Sequence, residues 1–207
     1  MNTATGGIGL KRWLAVGAAA VAGTLVALVI LTQLGGSKHE YVGTLLSNPE
    51  PAPGFSLVSD TGERASLDDF RGQVVLLYFG YTFCPDVCPA SLAELAAAVN
   101  LLGGDKDRVQ VAMISVDPER DTPAVLADYV DHFDESFVGL TGSAEEIAAV
   151  AESYNVFYEA AEGTAATGYL VDHWAGVVVI DRDGRLVELF SYDTASEDIA
   201  QDIREWL

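Results

Sequence analysis

Apolar and polar positions along this chain fall into three regimes. From Trp13 to Leu31, nineteen residues run without a charge and are apolar all round. As a helix rising about 1.5 Å per residue, this run spans roughly 28 Å, close to the hydrocarbon thickness of a bilayer. A polar stretch follows, in which Asn48, Pro49, Pro51, Pro53 and Gly54 break any helix. Beyond it, short apolar runs alternate with segments of helical periodicity.

The runs predict strands at Phe55 to Val58, Val74 to Phe79, Val109 to Val116, Val177 to Ile180 and Leu186 to Phe190. Val74 to Phe79 is almost wholly apolar, as expected of a central strand covered on both faces. Asp183-Gly184 joins the last two as a hairpin. Helices are predicted at four places. Cys88 to Leu102 carries Leu92, Leu95, Val99 and Leu102 on one side, and Gly103-Gly104 stops it. Thr122-Pro123 supplies a cap and a first-turn proline. Ser143 with Glu146 makes a capping box, and Thr194 with Glu197 starts the last helix. Helices between parallel strands with a closing hairpin predict an α/β fold. Its form is a thioredoxin-like sandwich, a central mixed sheet flanked by helices, preceded by one transmembrane helix.

Charge sharpens the organisation. The chain has 207 residues, 31 acidic and 11 basic, for a formal charge of −20. Lys11 and Arg12 precede the apolar run, whereas all 31 acidic and nine basic residues follow it, a formal −22. That asymmetry places residues 1–12 in the cytoplasm as a head and 13–34 as a single-pass anchor in the cell membrane. It makes 35–53 an extracytoplasmic tether and 54–207 the exported domain. A cleaved signal peptide is the rival reading, but its apolar core is usually only about 7 to 15 residues and ends at a small-residue site. Thr32-Gln33-Leu34-Gly35-Gly36-Ser37 does not resemble one, and no cysteine is present there to carry a lipid. So acidic a domain repels phosphate backbones, which excludes general nucleic-acid binding. It also suits a salt-loving host, where screening removes the repulsion among carboxylates.

Two cysteines cannot form a disulfide-dense scaffold or a four-cysteine zinc site. Cys84 and Cys88 flank a strand-to-helix turn, and a helical offset of four brings Cβ atoms to about 5 to 6 Å. Such a pair can close a disulfide or grip one metal ion. Cys88, at a helix start, is expected to gain thiolate character from unpaired backbone N–H groups. Of the three histidines, His39 falls in the tether and His132 late in a helix. His173 precedes the strand Val177 to Ile180, where a thioredoxin-like fold brings a loop beside the cysteine turn. It is either a third ligand or a hydrogen-bonded loop histidine. Two sulfurs and an imidazole suit Cu(I) and also tolerate Cu(II). Asp172 is a candidate partner for His173. Asp86 lies between the cysteines, and Asp117, Glu119 and Asp121 read as turn and cap residues.

Four segments together carry a resemblance. They are Gly80-Tyr81-Thr82-Phe83-Cys84-Pro85-Asp86-Val87-Cys88-Pro89, Ile114-Ser115-Val116-Asp117-Pro118-Glu119-Arg120-Asp121-Thr122-Pro123, Phe137-Val138-Gly139-Leu140-Thr141-Gly142 and Val171-Asp172-His173. In order and spacing, residues 53–207 resemble the SCO/SenC family of copper-binding, thioredoxin-like assembly proteins. The resemblance implies that Cys84, Cys88 and His173 bind one copper ion. It implies a metallochaperone that helps mature the copper centre of a haem-copper cytochrome c oxidase, with the copper-receiving oxidase subunit as partner. Another copper chaperone or a thiol reductant would be a further partner. Trp174 stands where the family commonly has a small polar residue, and Phe83 where histidine is frequent. The alternative function is a thiol-disulfide reductase in which Cys84 and Cys88 are redox-active and keep oxidase-subunit cysteines reduced. A peroxidase of related fold would need cationic help near a cysteine, and no arginine adjoins the motif in sequence.

Overall fold

The computed structural model describes residues 13–17, 21, 23–24, 39–163 and 168–207. Most of the expected anchor, 13–34, lies outside them. The described residues within it are helical. Among the described residues, no helix is long and apolar enough to cross a membrane. The chain divides into two units, Met1–Glu40 and Tyr41–Leu207, and the second holds the fold.

An eight-stranded mixed sheet organises that second unit. Its strands are β1 (Thr44–Pro51), β2 (Ser56–Ser59), β3 (Arg64–Ser66), β4 (Val74–Gly80), β5 (Val109–Ser115), β6 (Val138–Thr141), β9 (Val177–Ile180) and β10 (Arg185–Phe190). Across the sheet the order is β1-β10-β9-β4-β5-β6-β2-β3. β7 (Tyr158–Ala161) and β8 (Leu170–His173) form a separate two-stranded ribbon. Four helices complete the unit: α1 (Val87–Leu101), α2 (Pro123–Asp131), α3 (Ala144–Ser153) and α4 (Ser196–Trp206).

β4 is the centre. It pairs parallel with β5 and antiparallel with β9, and all seven of its residues are buried. Each fully buried Val, Leu or Phe there contributes about 1.5–3 kcal/mol of hydrophobic stabilisation. α1 turns Leu92, Leu95 and Val99 into the core and packs against α4. The caps expected for the middle helices form. Thr122 accepts the N–H of Val125 at the start of α2, and Ser143 and Glu146 make a reciprocal box on α3.

Several features depart from the sequence reading, among them the short strand β3. Thr44–Pro51, within the stretch expected as a tether, is an edge strand paired with β10 through a register shift between Leu45 and Glu50. Prolines are tolerated at an edge and beside such an irregularity, so they do not forbid a strand there. β6 was not anticipated, because it is short and contains Gly139, against which Leu126 of α2 packs closely. The β7–β8 ribbon was also not anticipated. The last helix begins at Ser196, not at Thr194, and Glu94 of α1 reaches across to accept the Ser196 N–H at 2.9 Å.

Candidate metal centre

The cysteine turn sits where β4 runs out and α1 begins. Gly80, the last residue of β4, has to be glycine, because a Cβ there would lie 2.5 Å from the Tyr78 ring and 3.1 Å from Cys88 Sγ. Pro89 is in the first turn of α1, where its missing N–H removes no helical hydrogen bond. Cys88 points inward and is fully buried, whereas Cys84 is half-buried. Both are free cysteines in this structure.

The turn is pinned from below by Asp121, a fully buried carboxylate. It accepts the Thr82 N–H at 3.0 Å, the Thr82 hydroxyl at 2.6 Å and the Ser115 hydroxyl at 2.6 Å. Burial pushes the Asp121 carboxyl upward, and these donors oppose that shift. A residue read as part of a turn thus holds the loop two positions before Cys84.

His173 arrives on the other side as the last residue of β8. Its Nε2 lies 3.3 Å from Cys88 Sγ. Its Nδ1 lies 3.1 Å from the Trp174 carbonyl oxygen, which can only accept. Nδ1 therefore donates to that carbonyl, which fixes the ring with Nε2 directed at the sulfurs. Tyr78 and Tyr81 meet the imidazole edge-on, at interplanar angles of 83° and 87°. The backbone carbonyl of Trp174 thus takes the role considered for Asp172. Asp172 is an exposed neighbour on a strand, where successive side chains alternate.

The electrostatics separate the two thiols. A hydrogen bond from Cys88 pulls the Cys84 thiol well below its ordinary range; burial opposes this, while His173 and the N–H groups of Asp86 and Cys88 assist. The Cys88 thiol is pushed up, first by its hydrogen bond to Cys84 and then by burial. The unpaired N–H groups expected to favour a Cys88 thiolate instead serve Cys84, whose Sγ accepts the Cys88 N–H at 3.5 Å. The reason is directional: N–H groups at a helix start point out of the helix, and Cys84 lies in front of them.

Cys84, Cys88 and His173 each offer one donor atom, all within 4.8 Å of one another. Two soft sulfurs and one imidazole nitrogen form a donor set that could hold a single metal ion. They open onto a shallow cleft of about 240 Å³, also lined by Asp86 and Asp172. His132 ends α2, is exposed and lies edge-on to Phe133, with no part in this group. His39 precedes the folded unit.

The sequence model of SCO1/SenC matches residues 45–207. The chain belongs to the SCO1/SenC family. It is 43% identical over 152 residues to the SCO2 homolog of Bos taurus, a match covering 72% of this chain and 57% of that protein. The chain therefore spans a little over half the length of that relative. Apo Sco1 from Thermus thermophilus superimposes with a TM-score of 0.75 at 42% identity, covering 83% of this chain and 100% of the other. ScoI from Bradyrhizobium japonicum, solved with copper bound, gives 0.70 at 39% identity, covering 76% of this chain and 100% of the other. The fold is thus the thioredoxin-like α/β arrangement of Sco structures, with its mixed sheet central.

Three contacts beside the cysteine loop escaped the sequence. Arg120 lies with its guanidinium 3.7 Å from the Tyr169 ring centroid and 4.7 Å from that of Phe83. It pairs with Asp117 and donates to the Tyr169 carbonyl at 3.0 Å. Tyr169 in turn donates its hydroxyl to Asp117 at 2.6 Å. An arginine therefore does approach the cysteine loop in space, with its charge paired to Asp117. The only sequence signal was the density of charge between Asp117 and Asp121, which turn formation explains equally well.

Proposed function

We propose that this protein is a copper metallochaperone that holds one copper ion on Cys84, Cys88 and His173 and passes it toward the copper centre of a haem-copper cytochrome c oxidase. The supporting observation is the convergence of two sulfurs and the His173 Nε2 within 4.8 Å at the end of the central strand. Copper bound to B. japonicum ScoI supports the same choice of metal. Thiolates favour Cu(I), and the imidazole extends the set to Cu(II). Cys84 and His173 are half-buried, so incoming client thiolates can replace ligands one at a time. The uncharged run at 13–34 and the charge step around it support a single-pass anchor holding the domain outside the cell membrane. The partners on this reading are the copper-receiving oxidase subunit and a second chaperone or thiol reductant.

The test is an anaerobic Cu(I) titration of the reduced full chain against a chromogenic chelator. One tight equivalent is expected, abolished by Cys84→Ser or Cys88→Ser. Binding unaffected by both substitutions would reject the site.

A second reading, a thiol-disulfide reductase, is favoured by the asymmetry of the pair. Cys84 is the more exposed sulfur and the one stabilised as a thiolate, so it would attack a client disulfide. Cys88 would then displace the client thiol and close the Cys84–Cys88 disulfide. His173→Ala is expected to spare that exchange while damaging copper transfer.

A further inference from the structure

The β7–β8 ribbon that carries His173 is not part of the main sheet. A two-stranded ribbon alone is at best marginally stable in water, so its position depends on what ties it down. Two kinds of tie are visible. The Tyr81 hydroxyl accepts the Val171 N–H at 3.2 Å, and Arg120 and Asp117 grip Tyr169, the residue just before β8. The grip is firmly founded. Asp117 is 3% exposed, its own N–H donates to the Ser115 hydroxyl, and its carbonyl accepts the N–H of Asp121. Asp121, four residues on, holds the cysteine turn through Thr82. One short loop, 117–121, therefore touches both the turn that bears the sulfurs and the ribbon that bears the nitrogen.

Resting on the copper reading above, we propose that Asp117, Arg120 and Tyr169 form a brace that fixes the reach of His173 toward the two sulfurs and thereby sets the preference of the site between Cu(II) and Cu(I). The chemistry divides accordingly. Cu(I) is satisfied by two thiolates, whereas Cu(II) needs the harder nitrogen donor. Loosening the ribbon withdraws the nitrogen and leaves the sulfurs in place. Asp121 acts on the other side, and loosening it disturbs the sulfurs, which both oxidation states need. Tyr169 and Asp121 are thus positioning residues with distinct signatures.

The test compares Tyr169→Phe and Asp121→Asn in the full chain, with Cu(I) and Cu(II) titrated separately and the Cu(II) form followed by electron paramagnetic resonance. Tyr169→Phe keeps the ring on Arg120 and removes only the hydroxyl, and a thermal melt checks its fold. It is expected to lower Cu(II) affinity about 10- to 100-fold, the usual cost of losing an outer support of a ligand, and to weaken the nitrogen coupling. Its Cu(I) affinity is expected to stay within about twofold of the wild type, because the sulfurs are untouched. Asp121→Asn is expected to weaken both ions together. Equal loss of both ions in Tyr169→Phe, or no change in either, overturns the brace while wild-type copper binding stands. Wild-type protein that binds no copper through Cys84 and Cys88 overturns the underlying metal reading and the brace with it. If Tyr169→Phe fails to fold, Arg120→Lys, which keeps a charge but loses the planar fork, carries the same comparison.

Discussion

The two sides of the candidate metal centre stand on different foundations. The sulfurs rise from β4, whose seven residues are all buried and which is paired on both edges. The nitrogen comes from a ribbon outside that sheet, whose four β8 residues include only one that is buried. A metal held on both is gripped firmly on one side and adjustably on the other. Retention and release can therefore be assigned to different parts of one short chain.

The largest effect expected from this contrast is between ligands. Cys88→Ser abolishes tight Cu(I) binding, whereas His173→Ala leaves Cu(I) on a two-sulfur site at nearly wild-type affinity and loses Cu(II), as chelator competition will read. Equal loss in both variants would erase the distinction between the two sides. Next in size is Asp121→Asn. It replaces a buried carboxylate that accepts three hydrogen bonds by a group with one acceptor oxygen, and is expected to cost about 1.5–3 kcal/mol in chemical denaturation.

A third effect lies far from the metal. Glu188 of β10 and Asp202 of α4 are both buried, and Asp202 accepts the N–H groups of Val42 and Gly43 at 2.8 and 2.9 Å. Burial raises the Glu188 carboxyl to about 8, with the Asp202 carboxylate adding to the shift and the Trp206 indole N–H opposing it. Folding therefore favours protonated Glu188. That stability is complete below the unfolded carboxyl range near 4.5 and fades as pH rises toward 8. The thermal midpoint should fall between pH 5 and about 8, and Glu188→Gln should flatten the slope. Smallest of all is the salt effect. Thirty-one acidic against 11 basic residues predict a modest rise in unfolding midpoint from low to molar salt, and a flat series would contradict a high-salt design.

The same contrast explains what could be read from the chain. β4 and α1 were legible because burial on both faces leaves an unbroken apolar run, and an inward helix face leaves a helical period. The cysteine pair was legible because both sulfurs lie in one turn. His173 was legible as a candidate, but the ribbon carrying it was not. β7 has no buried residue, so neither alternation nor an apolar run marks it. Asp117 and Tyr169 meet across 52 positions, and nothing local in either segment announces the other. Asp121 was visible as a turn residue, and its grip on Thr82 spans 39 positions. Contacts of that kind are tertiary facts, made by the fold once it has formed.

X-ray absorption at the copper edge of the loaded full chain tests the central claim most directly. Two sulfur scatterers and one nitrogen are predicted in the wild type, with the nitrogen lost and both sulfurs kept in His173→Ala. A first shell of nitrogen and oxygen alone, or a wild-type shell unchanged by that substitution, would contradict it.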